Sequence, residues 1–420
     1  MRVVRKQSEQ DRTGGKTYWW IRPYLMIFLF IIPVFVLIFL AGADSGTERN
    51  YFRFDYFLFG LMYLVILGVS AFVGARVTHD QPAPHRIALR AWFLDLLAIV
   101  TMLAYVIWFR EIAADPQMFA RIILGHITNL RGEVSTIPGI TTFTQLGVVY
   151  VIFYGSYRWL WRKRLPRRFH WYLAVIITLT VFRTLAWSER LAALELLVPL
   201  LLIYLLAWRG RNRLVRGVLA AGPYAGLLGL IAFFGLGEFF RSWAASYQYK
   251  AESFLGFVVD RFYNYYFTSL NNGSGLLTEY PWPELKGQFV FGWLYAFPGI
   301  GHLLRRLAGV SDEPSAYLML HADPEFNTFS GVYPIYYDFG IAGAVLTAVV
   351  LGVLLGYGYR RFRLRSGLGL LLYPVLFVAL AETLRIFYLG TSRVFPIVAF
   401  LIIGYFLTHA RAGRERGRHG

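Results

Sequence analysis

The chain has 420 residues, of which 57% are hydrophobic and 18% aromatic, and its mean hydropathy is +0.49. A soluble globular protein of this length does not need so much apolar surface, whereas repeated apolar runs that can cross about 30 Å of hydrocarbon predict an all-α polytopic membrane protein. Cysteine is absent, which excludes disulfides, thiol nucleophiles and cysteine-ligated metals.

The net charge of +18 is unevenly distributed along the chain. Six segments outside the apolar runs, the two termini among them, hold 27 Lys or Arg residues and four acids. The segments that alternate with them along the chain hold 13 basic and 15 acidic residues. Basic residues at every second junction are typical of cytoplasmic loops. The charge therefore indicates orientation, with both termini cytoplasmic, and it does not favour binding of nucleic acid.

The apolar runs predict about ten transmembrane helices between cytoplasmic tails at residues 1–22 and 410–420. Helices one to seven occupy residues 23–240, and helices eight to ten occupy residues 332–409. The predicted spans are 24–43, 56–75, 91–109, 141–157, 171–187, 191–208, 217–240, 332–358, 369–390 and 394–409.

Residues 241–331 form one outer segment of 91 residues, which is too long for a plain connection. The segment mixes tyrosine and tryptophan with charged residues, a composition that suits amphipathic helices on the membrane surface. We expect it to have its own structure and to contribute to function. The Asn272-Gly273-Ser274 sequon inside it is a weak signal.

Arginines are concentrated on the predicted outer face. They are Arg183, Arg190, Arg241, Arg261, Arg305, Arg306, Arg385 and Arg393. Outer carboxylates accompany them, namely Glu189, Glu252, Asp260, Asp323, Glu325 and Asp338. Guanidinium groups bind phosphate through two parallel charge-assisted hydrogen bonds. An anionic, lipid-linked sugar therefore fits these groups; the alternative is that the arginines only anchor the helices, with Glu195 and Glu382 as partners.

Asp338 lies close to the start of the eighth predicted span. An acid at membrane depth indicates a functional site, although Asp338 could equally cap or anchor the end of the helix. No P-loop, dinucleotide fingerprint or HExxH motif is present, and the histidines have no metal-ligand spacing. No metal or other cofactor is therefore expected.

The end of the outer segment resembles the bacterial O-antigen polymerase family, also called oligosaccharide repeat-unit polymerases. The resemblance rests on Asn327-Thr328-Phe329, followed by Tyr336-Tyr337-Asp338-Phe339-Gly340 and Gly343, after a large outer loop. Arg131 before span four, Ser188-Glu189-Arg190 before a leucine-rich span, and Arg385 late in the ninth span also look similar.

This resemblance implies a type C glycosyltransferase-like membrane fold in the bacterial inner membrane, with a large periplasmic loop. It implies transfer of a glycan from undecaprenyl diphosphate to another lipid-linked repeat unit, without metal or nucleotide sugar. The implied partners are the undecaprenyl-diphosphate-linked oligosaccharide and membrane lipids, and a polysaccharide chain-length regulator is a candidate protein partner.

The resemblance also gives a hypothesis for the site. Arg190, Arg241, Arg261 and Arg385 would bind the diphosphate, with Arg183 and Arg393 behind them. Asp338 is the first candidate general base, and His321, Asp323 and Glu325 are alternatives. Asn327, Tyr336 and Tyr337, which belong to the motif, are candidate glycan-binding residues.

Three rival interpretations stay open. An O-antigen ligase has a similar donor but typically shows a His-Asn pair where this chain has Phe326-Asn327, with His321 five residues earlier. A flippase or transporter of lipid-linked oligosaccharides tends to have two related halves, and no internal repeat is visible. A non-enzymatic assembly scaffold is the third.

Overall fold

The computed structural model describes residues 17–42, 49–77, 90–123, 134–135, 137, 139–187, 189–208, 210, 212–238, 253–323 and 326–416. All regular secondary structure in these ranges is helical. The helices are α1 (Pro23–Gly42), α2 (Phe54–Gly74), α3 (Ala91–Trp108), α4 (Arg110–Ala114), α5 (Pro116–Ile123), α6 (Ile140–Phe143), α7 (Leu146–Gly155), α8 (Arg167–Ala186), α9 (Arg190–Ala207), α10 (Arg213–Ala220), α11 (Gly222–Glu238), α12 (Phe254–Glu279), α13 (Gly292–Tyr295), α14 (Gly301–Leu307), α15 (Glu313–His321), α16 (Tyr333–Arg363), α17 (Gly367–Ala381) and α18 (Val394–Arg416).

Six of the described helices are long and apolar enough to cross a membrane, namely α1, α2, α3, α8, α9 and α16. Two further apolar helices, Gly367–Ala381 and Val394–Thr408, are shorter. Large apolar side chains such as Leu103, Leu346 and Phe406 are exposed on these helices, as expected where a surface faces lipid. These features agree with the predicted all-α membrane protein, and the count of ten spans stays a prediction.

The ninth predicted span differs from the structure. The sequence predicts one apolar element over residues 369–390, but α17 ends at Ala381 and residues 382–385 form turns before a short 3-10 helix at Tyr388–Gly390. Glu382 and Arg385 therefore lie in a turn beyond the helix. Because the turn keeps an i, i+3 relationship, they still pair, with Arg385 Nε 2.5 Å from Glu382 Oε2.

Glycines bring α2 and α16 into close contact. A Cβ atom added at Gly356 would lie 2.1 Å from the carbonyl oxygen of Ala71, and one added at Gly352 would lie 2.6 Å from that of Leu67. Small residues of this kind let two membrane helices approach until their backbones touch. Gly352 and Gly356 of α16 therefore serve helix packing.

Helix α7 forms the centre of the second half of the bundle. All ten of its residues are buried, and it packs against α3, α9 and α18. A helix that is apolar on every side and lies in the middle of a bundle needs no polar face. Its outer end begins just after Thr144 and Gln145, which puts those polar side chains at the edge of the core.

The basic junctions of the chain gather at one end of the bundle. Arg90 Nε donates to the carbonyl of Leu407 at 3.1 Å, and Arg365 Nη2 donates to that of Leu206 at 2.9 Å. Each bond joins two junctions that the charge pattern assigns to the same side. We refer to the opposite ends as the outer ends of the helices.

Helix α12 is the main element of the described part of the outer segment. It contacts α11, α1 and α16, with Phe267 beside Gly42 and the backbone of Gly273 against Tyr333. These are outer ends of three helices, so α12 rests on the bundle. Asn272 of the sequon is buried and donates to the carbonyls of Phe326 and Thr328, both at 3.1 Å, and so it ties α12 to the end of the outer segment just before α16.

Candidate functional site

A cavity of about 360 Å³ opens at the outer ends of α3, α6 and α8. Its lining is mainly polar and aromatic and consists of Trp108, Thr141, Thr142, Gln145, Arg183, Trp187, Glu189, Ser392 and Arg393. Small-molecule sites in proteins span about 300–1,000 Å³, so one compact ligand group fits this volume. We call it the outer cavity.

Arg183 is held in place on three sides in the last turn of α8. Its Nε atom lies 2.6 Å from Glu189 Oε2, its Nη1 atom donates to Thr144 Oγ1 at 3.0 Å, and its guanidinium carbon lies 4.7 Å from the centre of the Trp108 ring. The side chain is 4% exposed. A cation at the carboxyl end of a helix is also favoured by the helix dipole. The geometry of Arg183 is therefore fixed before any ligand binds.

Glu189 joins two arginines from distant parts of the chain. It forms ion pairs with Arg183 and with Arg393, and Arg393 Nη1 also lies 3.2 Å from Glu195 Oε2. Glu195 is 1% exposed on α9. The sequence suggested Glu195 as a partner of Arg183 or Arg190, whereas its ion pair in the structure is with Arg393. Two guanidinium groups thus meet two carboxylates at the rim of the outer cavity.

Trp108 and Trp187 form the aromatic wall of the outer cavity. Their ring centres lie 5.0 Å apart, and both residues are more than nine-tenths buried. In the part of the chain that the structure describes, neither indole N–H has a hydrogen-bond partner. Buried indole N–H groups usually find a partner, and these two are enclosed behind the wall of the outer cavity without one among the described residues.

A second group of residues, the Tyr265 cluster, lies between the bundle and the outer segment. It comprises Arg190, Tyr265, Tyr266, Glu382 and Arg385. Arg385 Nη1 donates to the Tyr265 hydroxyl at 2.7 Å, and the guanidinium carbon of Arg190 lies 5.5 Å from the Tyr265 ring centre. Burial raises the pKa of Tyr266 and the nearby Glu382 carboxylate raises it further, so its hydroxyl keeps its proton.

Tyr388 connects the two groups. Its side chain is buried and lies within electrostatic range of Glu195, Glu382 and Arg183. Glu195 pairs with Arg393 at the outer cavity, and Glu382 pairs with Arg385 in the Tyr265 cluster. The outer cavity and the Tyr265 cluster therefore belong to one continuous polar layer.

Arg261 lies one helical turn before Tyr265 on α12. Its guanidinium carbon is 5.1 Å from the ring centre of Phe326, which itself contacts Tyr265 edge to face. Of the four arginines assigned to the diphosphate by the sequence, Arg190, Arg261 and Arg385 thus surround Tyr265 or its neighbour Phe326. Arg241 lies outside the described residues, as do Glu325, Arg131 and Ser188.

Asp338 anchors a loop of the outer segment to α16. Its Oδ2 atom accepts hydrogen bonds from the amides of Phe289 and Val290, at 2.9 and 2.8 Å. The side chain is 0% exposed and lines neither the outer cavity nor the Tyr265 cluster. Gly340, with φ of +68°, interrupts the helix two residues later. This geometry favours the anchoring interpretation of Asp338 over the role of a general base.

The remaining motif residues lie apart from the polar layer. Tyr336 and Tyr337 are fully buried, and their hydroxyls donate to the carbonyl of Phe59 at 2.8 Å and to Glu313 Oε2 at 2.7 Å. They support the fold, so neither can contact a glycan without a rearrangement.

The two other described base candidates and Asn327 are at the surface of the outer segment. His321 Nδ1 lies 2.8 Å from Arg49 Nη1, and Asp323 and Asn327 are exposed. Within the described residues, no group of three or more His, Asp or Glu side chains is arranged to hold a metal ion.

Sequence reasoning missed Trp108, Trp187, Gln145 and Tyr388 as site residues. The two tryptophans sit at ends of predicted spans, where tryptophan is common as an interfacial anchor. Nothing in the local sequence separates such an anchor from a cavity wall, because the distinction depends on which helices are neighbours.

Comparison with known proteins found no family model, curated protein or solved structure that matches this chain.

Proposed function

We propose that the chain is a metal-independent glycosyltransferase of the bacterial inner membrane that polymerises a surface polysaccharide. In this reaction a glycan linked to undecaprenyl diphosphate moves onto a second lipid-linked repeat unit at the periplasmic face. Ten spans, cytoplasmic termini and a type C glycosyltransferase-like fold form part of the proposal. It rests on the sequence resemblance together with the arrangement of the polar layer.

The contact between Arg385 and Tyr265 carries the proposal. Arg385 follows α17 in the bundle, whereas Tyr265 belongs to α12 of the outer segment, and the two side chains are joined by a 2.7 Å hydrogen bond. Arginines that served only as interfacial anchors would spread outwards along the lipid boundary. Here a buried guanidinium turns inwards to meet the outer segment, with Arg190 and Arg261 close by.

The Tyr265 cluster supplies the positive charge that a diphosphate leaving group needs, but the space between its side chains is only about 10 Å³, so the cluster must open to admit one. When the anomeric C–O bond breaks, its electron pair leaves on a phosphate oxygen, and fixed cations lower the energy of that charge. In the absence of a metal, Arg190, Arg261 and Arg385 would take this role, with the hydroxyls of Tyr265 and Tyr266 as further donors. Arginine is suited to it because its planar fork matches phosphate oxygens.

The attacking sugar hydroxyl must lose a proton as it bonds to the anomeric carbon. Among the sequence candidates Asp338 is buried under its loop, so we place this proton acceptor at Glu189, whose carboxylate lines the outer cavity. Its ion pairs with Arg183 and Arg393 hold this carboxylate in one orientation at the cavity.

A reconstitution experiment tests the function directly. Purified protein in liposomes is mixed with undecaprenyl-diphosphate-linked repeat units, with chelator present and no nucleotide, and the glycans are separated on a gel. A ladder of longer products supports the polymerase. A single transfer onto a lipid A core acceptor would favour the ligase, and unchanged glycan that moves across the bilayer would favour the transporter.

A further inference from the structure

We infer that residues 292–307 of the outer segment lie in the lipid leaflet at the outer ends of the helices, with α14 at the boundary between hydrocarbon and headgroups. The inference does not depend on the proposed enzymatic activity. Three observations carry it, namely the lengths of α17 and α18, the contacts of the outer segment with the outer ends of these helices, and the exposed apolar face of α14.

The last two apolar helices are too short to cross the hydrocarbon core of a membrane. Helix α17 has 15 residues, and the apolar part of α18, Val394–Thr408, is equally long. At a rise of about 1.5 Å per residue each reaches about 22 Å, which is about 8 Å less than the usual thickness of about 30 Å. A bilayer thins to match a short helix at a free-energy cost for each ångström, unless other apolar side chains of the protein fill the gap.

The gap lies at the outer ends of both helices. Arg363 and Arg365 precede α17, and Arg411 and Arg414 follow the apolar part of α18. Basic side chains at this end of the bundle lie among the lipid headgroups, so the inner ends of the two helices are level with that surface. Both helices consequently end below the outer surface of the hydrocarbon.

The outer segment packs directly on these two outer ends. A Cβ atom added at Gly292 would lie 2.7 Å from the carbonyl oxygen of Gly390, which follows α17. Trp293 stacks on Phe395 in the first turn of α18, with ring centres 5.3 Å apart, and Phe297 meets the same ring edge to face at 5.2 Å. Because Phe395 is 39% exposed, this aromatic stack lies at the surface of the bundle and extends the apolar side of α18 outwards.

Helix α14 continues this surface with an exposed apolar face. Ile300, Leu303 and Leu307 are 52%, 55% and 75% exposed, and in a helix of 3.6 residues per turn they lie within about 60° of one another. His302 and Arg306 are exposed on the other side of the helix. A helix with an open apolar face and basic residues opposite is suited to the interface between membrane and water.

The lipid leaflet fits this face better than a protein partner does, because the face continues a surface that already meets lipid. Helix α14 contacts α13, and α13 carries Trp293, which stacks on the outer end of α18, where Phe406 is also exposed. Arg305 donates to the carbonyl of Ser311 at 3.3 Å and pairs with Asp312. These bonds fix α14 to the turn that follows it, so its apolar face has one orientation.

The test measures the membrane depth of single cysteines, which is possible because the chain has no cysteine of its own. Leu303→Cys and Leu307→Cys report on the apolar face, and His302→Cys is the matched control on the other side of the same helix. Ser315→Cys, at an exposed position of α15, is the control for a position outside the lipid. Each full-length variant is spin-labelled in nanodiscs of phosphatidylcholine and phosphatidylglycerol, and EPR measures its collisions with oxygen and with a water-soluble nickel chelate.

We expect the labels at positions 303 and 307 to lie about 5–10 Å inside the boundary between headgroups and acyl chains, the depth of the apolar face of an interfacial helix. They should collide often with oxygen, which concentrates in hydrocarbon, and rarely with the nickel chelate. The label at position 302 should lie at the level of the headgroups or above, and the label at position 315 should lie in water. This difference between neighbouring positions of one helix would support the inference.

Equal access of the nickel chelate to positions 302, 303 and 307 would overturn the inference. High access at all three positions would leave the apolar face in water and open to a protein partner, whereas low access at all three would mean that protein encloses α14. Neither result bears on chain extension, so the proposed function is tested separately by reconstitution.

A second measurement serves if the labelled leucine variants fold poorly. Ile300→Cys lies on the same apolar face, and its reaction with an impermeant maleimide in nanodiscs is compared with that of His302→Cys. Because the side chain must leave the lipid to react, labelling at position 300 should be about 5- to 10-fold slower, as expected for re-exposing a small apolar group. Equal labelling rates at the two positions would contradict insertion of α14.

Discussion

Arg393 Nη1 lies 3.2 Å from Glu195 Oε2, which joins two residues 198 positions apart in the chain. Arg393 precedes α18, and Glu195 lies in the second turn of α9. This ion pair closes the outer end of the bundle on one side of the outer cavity. It also explains how an acid with 1% exposure is tolerated in an apolar helix.

Removing the Arg393 guanidinium should reveal the free-energy cost of burying the Glu195 carboxylate. Arg393→Ala leaves Glu195 without its guanidinium, and we expect a loss of about 3–5 kcal/mol of stability, as is typical when one partner of a buried pair is deleted. Thermal unfolding in detergent measures the effect. In Arg393→Met combined with Glu195→Met neither charge remains, so much of the lost stability should return. Equal unfolding temperatures for wild type and Arg393→Ala would show that the pair contributes little.

Arg385 should be essential for chain extension. Arg385→Gln removes the charge beside the proposed leaving group, and we expect extension to fall about 100- to 1,000-fold, the range for losing one electrostatic donor. Arg306→Gln, at an exposed position of α14, is the control and should retain activity. The rate of ladder formation by reconstituted protein gives the comparison. Normal extension by folded Arg385→Gln would remove Arg385 from the mechanism.

Asp338 should behave as a structural anchor. Asp338→Ala leaves the amides of Phe289 and Val290 without their acceptor, which should cost about 1–3 kcal/mol. Asp338→Asn keeps a carbonyl oxygen for these amides and should cost less. Activity of both variants, expressed per folded protein, should stay within about tenfold of wild type. A stable Asp338→Asn protein that is inactive would instead restore Asp338 as the general base.

The contact between α2 and α16 should not tolerate a larger residue. Gly356→Leu places a side chain against the Ala71 carbonyl, so the helices must separate and unfolding in detergent should occur at a lower temperature. Gly226→Leu provides the control, because no atom of the described residues lies within 4 Å of a Cβ atom added there. Similar unfolding temperatures for the two variants would mean that the close approach of α2 and α16 is not required.

The orientation can be tested because the chain has no cysteine of its own. Ser315→Cys lies at an exposed position of the outer segment, and Lys163→Cys at an exposed position in the basic junction before α8. An impermeant maleimide added to intact spheroplasts should label position 315 at once and position 163 only after lysis. The reverse pattern would invert the predicted topology.

Several features of the fold could be predicted from the sequence because they depend on local composition. Apolar runs located α2, α3, α8 and α9 to within a few residues, and periodic basic residues sorted the junctions to two ends. The end of α17 could not be predicted in this way. Residues 382–390 are apolar enough to continue a helix, but the chain turns there to place Glu382 and Arg385 at the Tyr265 cluster.

The same distinction applies to the site. Arg183, Arg190, Arg385 and Arg393 could be selected by residue type and by their predicted side of the membrane, because charge at membrane depth is rare. Their partners could not be predicted, since the hydrogen bond between Arg385 and Tyr265, for example, spans 120 positions of the chain. The motif around Asp338 was conspicuous in the sequence, yet Asp338 and Tyr337 attach the outer segment and Tyr336 bonds to α2.

By itself, the sequence determined that this chain is helical, apolar and asymmetrically charged. Hydropathy and charge could show this because each depends only on the residues within one segment. Only the tertiary structure decided which arginines meet, that two indoles line a cavity with them, and that Asp338 is enclosed. These relationships arise from contacts between helices far apart in the chain, which no local pattern encodes.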